Sequence, residues 1–331
     1  MRAIVVDSPG GIDRLVYRDL PDPAPGKGEV VVDIAYAAAN WGDTQKRRGV
    51  YPDPIAYPAV IGLEVSGRIA ALGEGVKGLA VGQRVAAITG PTMLGGYAER
   101  CVVGAEFVIP LPDDVPLDVG ASFPVVCLTA YHLLHSAYSV RAGDCILVHS
   151  ISGAVGLALT QLGTAAGATM IGTVGSPGRG AAAQEMGAAL VIDRSGEDFV
   201  ERALAFTEGR GVDLVIDSLG GDVLPRSFDC LKVYGRIINI GEAAGYPDFD
   251  IRPKLYERST SLAGFEVLHA MRVPGRWQAG VDAVLAAIRD GSLSVPIARR
   301  FPFEAIHDLH RTFETRTVSG KLLLEVAGEG V

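Results

Sequence analysis

The chain has 331 residues, 48% of them hydrophobic, enough apolar material to build the cores of two domains. Thirty Lys and Arg against 38 Asp and Glu give a net charge of −8 and an isoelectric point near 5.3, and no basic patch interrupts that balance, which excludes a nucleic-acid backbone as the main partner. The N-terminus turns acidic at Asp7, too early for a signal-peptide core, no apolar run reaches membrane-spanning length, and Cys101, Cys127, Cys145 and Cys230 are isolated. These features predict a soluble, cytoplasmic protein with buried free thiols and no disulfide framework.

Residues 1 to about 110 read as short strands separated by Gly and Pro: Ala3–Asp7, Glu29–Ala38, Glu64–Leu72, Arg84–Ala87 and Ala98–Val103. Between them, Asn40-Trp41-Gly42-Asp43 and Gly49-Val50-Tyr51-Pro52 read as irregular polar connections, the places where a scaffold displays functional side chains. From about residue 122 strands and helices alternate. The strands are Cys145–His149, Thr169–Val174, Leu190–Ile192, Leu214–Asp217, Arg236–Ile240 and Ser261–Phe265, with helices near 154–166, 178–186, 197–208, 222–231 and 250–258. Six strands with short crossovers predict an α/β, doubly wound parallel sheet. The tail predicts a helix at Trp277–Asp290, a strand at Ala298–Phe303, a helix at Glu304–Glu314 and a last strand at Lys321–Val326.

After the strand Cys145–His149 come Ser150-Ile151-Ser152-Gly153-Ala154-Val155-Gly156. A small-residue turn opening a helix offers free backbone N–H groups and a favourable dipole to a pyrophosphate. The strict G-x-G-x-x-G pattern wants glycine where Ile151 stands, so the stretch alone also fits a plain tight turn. The second strand is followed by Gly175-Ser176-Pro177-Gly178-Arg179, without the acid that an NAD-selective site sets against the ribose 2′-hydroxyl. Small residues with Ser176 and Arg179 leave room and donors for a 2′-phosphate, which predicts NADPH over NADH; the bland alternative makes Arg179 a solvated helix residue. Arg194, after the third strand, adds charge beside the same phosphate. Asp217-Ser218-Leu219-Gly220-Gly221 and Ile240-Gly241-Glu242 are candidate walls for the ribose and nicotinamide, or ordinary turns.

Catalytic zinc wants three His, Cys or carboxylate ligands with an open position. His132/His135 and His307/His310 fall on predicted helices as surface or packing residues, and His149 and His269 supply no set, so no metal is expected.

Taken with Asn40-x-x-Asp43, Gly49-Val50-Tyr51-Pro52, Gly62-Leu63-Glu64-Val65-Ser66-Gly67, Val81-Gly82-Gln83-Arg84-Val85, Gly95-Gly96-Tyr97-Ala98-Glu99, Leu128-Thr129-Ala130-Tyr131 and Ser152-Gly153-Ala154-Val155-Gly156 in this order, the chain resembles the medium-chain dehydrogenase/reductase superfamily. It looks most like the zinc-free quinone oxidoreductase (zeta-crystallin-like) branch, over nearly its whole length. The resemblance implies a GroES-like β-rich catalytic domain of residues 1–121 completed by 268–331, and a Rossmann dinucleotide-binding domain of residues 122–267. It further implies an active-site cleft where the domains meet and a homodimer joined along the Rossmann sheet edge. Zinc-dependent relatives carry Gly-His-Glu where this chain has Gly62-Leu63-Glu64, and a cysteine near Asn40 that is missing here.

Position by position, the resemblance puts Asn40, Asp43 and Tyr51 on the polar side of the substrate cleft and Thr129 beside the nicotinamide. It puts Ser152, Gly153, Ala154 and Val155 in the diphosphate loop, Gly175, Ser176 and Arg179 in the adenosine-phosphate pocket, and Gly241 in the nicotinamide wall. Arg194 stands where some relatives use a tyrosine near the 2′-phosphate, Arg316 matches a C-terminal arginine reaching that phosphate, and Gln45 replaces a tyrosine common in some quinone reductases. The expected activity is NADPH-dependent, zinc-independent reduction of a quinone or another conjugated carbonyl (an enone), with Tyr51 as hydrogen-bond donor to the oxygen that gains charge, or else as an aromatic wall, and Asn40 orienting substrate or cofactor. Two competing expectations are a 2-enoyl thioester reductase and a non-catalytic NADPH-binding protein.

Overall fold

Branched and aromatic residues running between Gly and Pro form strands through the first part of the chain. In the computed structural model, which describes residues 1–315 and 318–330, these are β1 (Arg2–Val6), β2 (Leu15–Asp19), β3 (Glu29–Ala38), β4 (Ala59–Val60), β5 (Glu64–Leu72), β6 (Arg84–Ile88), β7 (Arg100–Gly104) and β8 (Val108–Pro110). The helices are α1 (Trp41–Arg48), α2 (Leu117–Ser122) and α3 (Pro124–His132). Where an irregular connection was expected after Asn40, the structure has α1. Asn40 is its N-cap, with its backbone N–H donating to Asp43 Oδ2 at 2.8 Å, and Gly49, at φ 70°, ends it in the left-handed conformation. Both signals stand in the sequence as Asn-x-x-Asp and a glycine after three basic residues.

From Cys145 strand and helix alternate: β9 (Cys145–His149), α4 (Ala154–Ala165), β10 (Thr169–Val174), α5 (Ala181–Glu185), β11 (Leu190–Asp193), α6 (Phe199–Phe206), β12 (Val212–Asp217), α7 (Val223–Ser227), β13 (Leu231–Asn239), α8 (Ile251–Glu257), β14 (Ser261–Gly264) and α9 (Arg276–Asp290). The six strands form a parallel sheet ordered β11-β10-β9-β12-β13-β14, the order of the doubly wound dinucleotide fold. Leu147, Ile171, Val215 and Ile237 from four of its strands meet Phe199 and Phe228 in one core. The helix expected over 222–231 stops at Ser227, and β13 begins at Leu231 rather than Arg236. A bulge absorbs the difference: Val212 pairs with Leu231 and Leu214 with Arg236, so Lys232–Gly235 loop out around Tyr234 at φ 63°.

The chain ends with β15 (Ile297–Pro302), α10 (Ile306–Glu314) and β16 (Lys321–Glu325). β16 pairs antiparallel with Tyr36–Ala38 of β3, and β7 takes the lower part of the same edge at Glu29–Asp33. The resulting sheet runs β15-β16-β3-β5-β6-β8, beside a smaller sheet β2-β1-β4. Residues 1–125 with 295 onward make one compact unit and residues 126–294 the other. The resemblance implied a return to the first domain from residue 268; in the structure α9 packs within the second unit. Trp277 stacks on His132 with ring centroids 6.1 Å apart, and a Cβ on Gly280 would lie 2.6 Å from His132 Nε2.

The turn after β9 explains how Ile151 replaces a glycine. Its side chain is fully buried in the space that Gly172 leaves, where an added Cβ would lie 2.5 Å from Ile151 Cβ; at Gly156 an added Cβ would lie 2.4 Å from the backbone oxygen of Ile151, so α4 starts directly against the turn. Alanine in a helix ordinarily gains about 1 kcal/mol over glycine. At Gly156 the sign reverses: Gly156→Ala should destabilise the protein by about 1–3 kcal/mol, read as a lower urea midpoint.

Candidate functional site

In the second unit the ends of β9, β10, β12 and β13 carry the residues singled out for the dinucleotide. Ile151 N–H donates to Thr173 O at 3.1 Å and Gly153 N–H to Ser150 O at 2.8 Å, fixing the turn that aims α4. Gly153 is the N-cap of α4 and makes no side-chain cap hydrogen bond, so the N–H groups of Ala154 and Val155 present a ready anion site. Ser152 is buried at 2% exposure, so it contributes to this turn from inside. Thr129, on α3, is also buried.

Gly175 follows β10 directly and is exposed, and Ser176 and Arg179 are half-buried. Arg194 follows β11, its N–H donating to Val174 O at 3.0 Å. Its guanidinium reaches the end of β10, since a Cβ on Gly175 would stand 3.8 Å from Arg194 Nη2. Arg316 lies outside the described residues. Asp193, which ends β11 just before Arg194, is engaged locally, accepting from Ser195 N–H at 3.0 Å and Ser195 Oγ at 2.8 Å.

Gly241 is held from below. Asp217, fully buried, accepts from Leu219 N–H at 2.9 Å, Gly220 N–H at 3.1 Å and Asn239 Nδ2 at 3.0 Å. Asn239 Nδ2 also donates to Gly241 O at 3.1 Å. Burial raises the Asp217 pKa, and these donors oppose the rise. His149 ends β9 among Thr173 Oγ1 and Ser227 Oγ, each at 2.9 Å. Ser227 donates to Val223 O, so its oxygen accepts from His149 Nε2–H and Nδ1 accepts from Thr173. Burial, helped by Arg194, pushes the imidazole pKa down to about 3, which makes His149 a neutral bracket between strand ends.

In the first unit, Asn40 sits at the end of β3 and Glu64 begins β5. Asn40 Nδ2 donates to Glu64 Oε1 at 3.0 Å and to Ala38 O at 3.2 Å, and its Oδ1 accepts from Lys321 Nζ at 2.8 Å. Both amide hydrogens are thereby committed, and the Asn40 side chain also closes a capping box with Asp43 at the start of α1. Lys321, 2% exposed, also donates to Glu64 Oε1 at 2.7 Å and Ala39 O at 3.0 Å. Glu64 Oε2 accepts from Val125 N–H at 2.7 Å. Asp43 is fully buried: Oδ2 accepts from Asn40 N–H and, at 3.1 Å, from Tyr97 Oη. Burial raises its pKa to about 7, against the pull of those donors and of Lys321 and Lys46.

Tyr51 is half-buried and lies on the face of α1 that Gly42 opens: a Cβ there would be 3.1 Å from Leu63 Cδ2 and 3.4 Å from Tyr51 Cε2. Leu63 is buried where zinc relatives have histidine. Among the described residues no group of three His, Cys, Asp or Glu is gathered for a metal ion. His307 donates to Leu15 O at 2.9 Å and His310 faces Arg47 Nη1 at 3.3 Å. Sequence reasoning did not single out Glu64, Lys321 or Lys46 as part of this site. The available signals were a glutamate beside the substituted ligand position and a lysine opening an otherwise apolar last strand.

The comparisons agree with this geometry. The alcohol dehydrogenase GroES-like domain family matches residues 26–113 and the zinc-binding dehydrogenase family matches residues 154–286. A quinone oxidoreductase of Pseudomonas aeruginosa is 33% identical over 95% of this chain and 96% of its own length. A 2-haloacrylate reductase of Burkholderia is 30% identical over 97% of this chain and 98% of its own. The crystal structure of the Escherichia coli quinone oxidoreductase complexed with NADPH superposes with a TM-score of 0.93 at 28% identity, over 98% of this chain and all of that one. The chain belongs to the medium-chain dehydrogenase/reductase superfamily, in its zinc-free quinone oxidoreductase branch. It is an enzyme of the NADPH:quinone oxidoreductase type, combining a GroES-like domain with a Rossmann domain.

Two stability predictions follow from the first unit. Lys321→Met leaves Glu64 buried without its cation and should cost about 3–5 kcal/mol, most of it recovered when Glu64→Gln is added; urea unfolding of the single and double variants measures this. The raised pKa of Asp43 means that the folded protein keeps a proton which the unfolded chain releases above its ordinary 3.8. Its contribution to stability therefore falls as pH rises to about 7 and is level above that. Asp43→Asn should gain on the wild type across this window by about 1–4 kcal/mol, visible as converging then crossing thermal midpoints.

Proposed function

We propose that this enzyme transfers hydride from NADPH to a quinone or another conjugated carbonyl, without zinc. The observation that carries the cofactor reading is the acid-free end of β10, where Gly175 stands within reach of the Arg194 guanidinium, beside the uncapped first turn of α4. The residues fit the cofactor: backbone N–H groups of Ala154 and Val155 for the diphosphate, and Arg194, Ser176 and Arg179 for the 2′-phosphate. Bound NADPH supplies the hydride. Among the relatives, the name 2-haloacrylate reductase points to a conjugated acceptor and the name quinone oxidoreductase to a quinone; both are electron-poor π systems.

The chain's own residues hold the acceptor and its developing charge. Tyr51 donates from Oη to the oxygen that gains charge, a contribution of about 10²–10³ in rate. Asn40, its amide fixed by Glu64 and Lys321, orients the substrate or the cofactor. Asp43 touches neither; it sets the helix start that carries Asn40. Leu63 in place of a ligand supports metal-free chemistry. The absence, among the described residues, of a helix long and apolar enough to cross a membrane supports the cytoplasmic location we assign, and the open edge at β14 suits a homodimer joined along the sheet.

The test is NADPH oxidation at 340 nm with 1,4-naphthoquinone, simple enones, crotonyl-CoA and alcohols, before and after EDTA. Quinone or enone turnover unaffected by EDTA is expected. Faster turnover of crotonyl-CoA than of the quinone would reassign the enzyme as an enoyl thioester reductase, and tight NADPH binding with no turnover would leave a non-catalytic binding protein. Arg194→Ala should raise KM for NADPH about tenfold, the worth of one charge-assisted hydrogen bond, with KM for NADH changed less than about twofold.

A further inference from the structure

Lys46 is a lysine without solvent. It is 1% exposed, on the inner face of α1, and its ammonium does two things there. It donates to Thr92 O at 2.8 Å, and it lies 3.8 Å from the centroid of the Tyr51 ring. The chain turns back at Gly49 to set Tyr51 against this face, and Gly42, one helical turn before Lys46, leaves the gap into which the ring edge fits. Burial lowers the Lys46 pKa while Asp43 and Asp53 oppose the shift. The ring face and the Thr92 carbonyl both favour the ammonium form.

A cation over a phenol ring is attracted to the ring's negative face, and in a dry setting it favours the anionic over the neutral phenol because the ring shares the oxygen's charge. A phenol so placed gives up its proton more readily. We propose that Lys46 is a positioning residue that seats Tyr51 and, by its charge, makes the Tyr51 hydroxyl a better proton donor to the reduced acceptor. The inference rests on the reading of Tyr51 as the donor. The step it serves is balanced: the acceptor takes a hydride from NADPH and a proton from Tyr51 Oη, and the phenolate recovers its proton from water. Lys46 keeps its own proton throughout.

The experiment uses the whole protein carrying tyrosine labelled at Cζ with ¹³C, the Tyr51 resonance being assigned from Tyr51→Phe. Its pH titration is followed in the wild type, Lys46→Met and Lys46→Arg. Lys46→Met keeps the volume of the stem while removing the charge, and Lys46→Arg restores the charge. The expected result is a Tyr51 pKa at least one unit higher in Lys46→Met, a tenfold loss of acidity. With it should come a fall in kcat of about tenfold, little change in KM for NADPH, and recovery of much of both in Lys46→Arg. An unchanged Tyr51 titration in a folded Lys46→Met protein overturns the proposal, as does a failure of Lys46→Arg to restore it. If Lys46→Met does not fold, Lys46→Arg compared with Lys46→Gln decides on the same readout. A shifted titration with full turnover in Tyr51→Phe overturns instead the donor reading of Tyr51.

Discussion

The first unit depends on one buried ion pair. An ammonium and a carboxylate withdrawn from water each lose several kcal/mol of hydration, and Lys321 and Glu64 regain it by filling every strong position around them. Lys321 has three acceptors for three hydrogens, and Glu64 takes two donors on one oxygen and a backbone N–H on the other. The two residues are 257 positions apart. The pair forms only when the C-terminal strand has returned to β3, so residues 1–125 cannot complete their own interior. That dependence explains why the unit is built from both ends of the chain: β16 supplies ladder partners to β3 and, at its first residue, the counter-charge without which Glu64 would be stranded. Asn40 joins the network as the neutral third member, and its amide orientation is set by the two charges on either side.

The same economy recurs wherever a titratable group is taken inside. Asp217 spends its oxygens on the loop after β12, Asp43 on the start of α1, and His149 on a strand and a helix. In each case a buried polar side chain, costly if unpaired, fixes the irregular backbone at the end of a regular element. This is where a doubly wound fold exposes its ligand-binding turns. Rigidity of those turns comes from side chains below them, which leaves the backbone N–H groups above free for a ligand.

The repeating part of the fold was legible because period and composition are local. The six parallel strands and the alternation of helices appear in the sequence nearly where the structure has them, and the acid-free turn after β10 could be read directly. Three features could not be placed by pattern alone. The helix α1 was hidden by its composition: Trp, Gly, Asp and Thr in the first turn are poor helix formers, and the cap at Asn40 and stop at Gly49 outweigh them. The start of β13 was displaced by a bulge that depends on its partner strand. The assignment of α9 rests on His132 meeting Trp277 and Gly280 across more than a hundred residues, contacts that no window of sequence contains. The candidate residues fared according to the same rule: Gly153, Gly175 and Arg194 sit at strand ends that pattern predicts, whereas the partners of Asn40 had to be found in space.

Ile151 and Leu63 both look like defects against a motif, and the structure gives each a compensation of a different kind. At Ile151 the compensation is volume. Gly172 gives up its side chain to that of Ile151, and Gly156 lets α4 lie against the Ile151 backbone, so the turn keeps its course with a larger residue inside it. At Leu63 the compensation we propose is charge. Zinc-dependent relatives have a metal ligand at this position and so a strong positive centre nearby. Here Leu63 packs over Gly42 against the same face of α1 that carries Lys46, and the ammonium of Lys46 lies over Tyr51. A reductase that polarises its acceptor without a metal still has to stabilise negative charge on oxygen, and on the reading proposed above a buried cation behind a phenol is placed to do so. An apolar residue in place of a ligand is then more than the loss of a site: it packs the helix face on which the proposed cation sits.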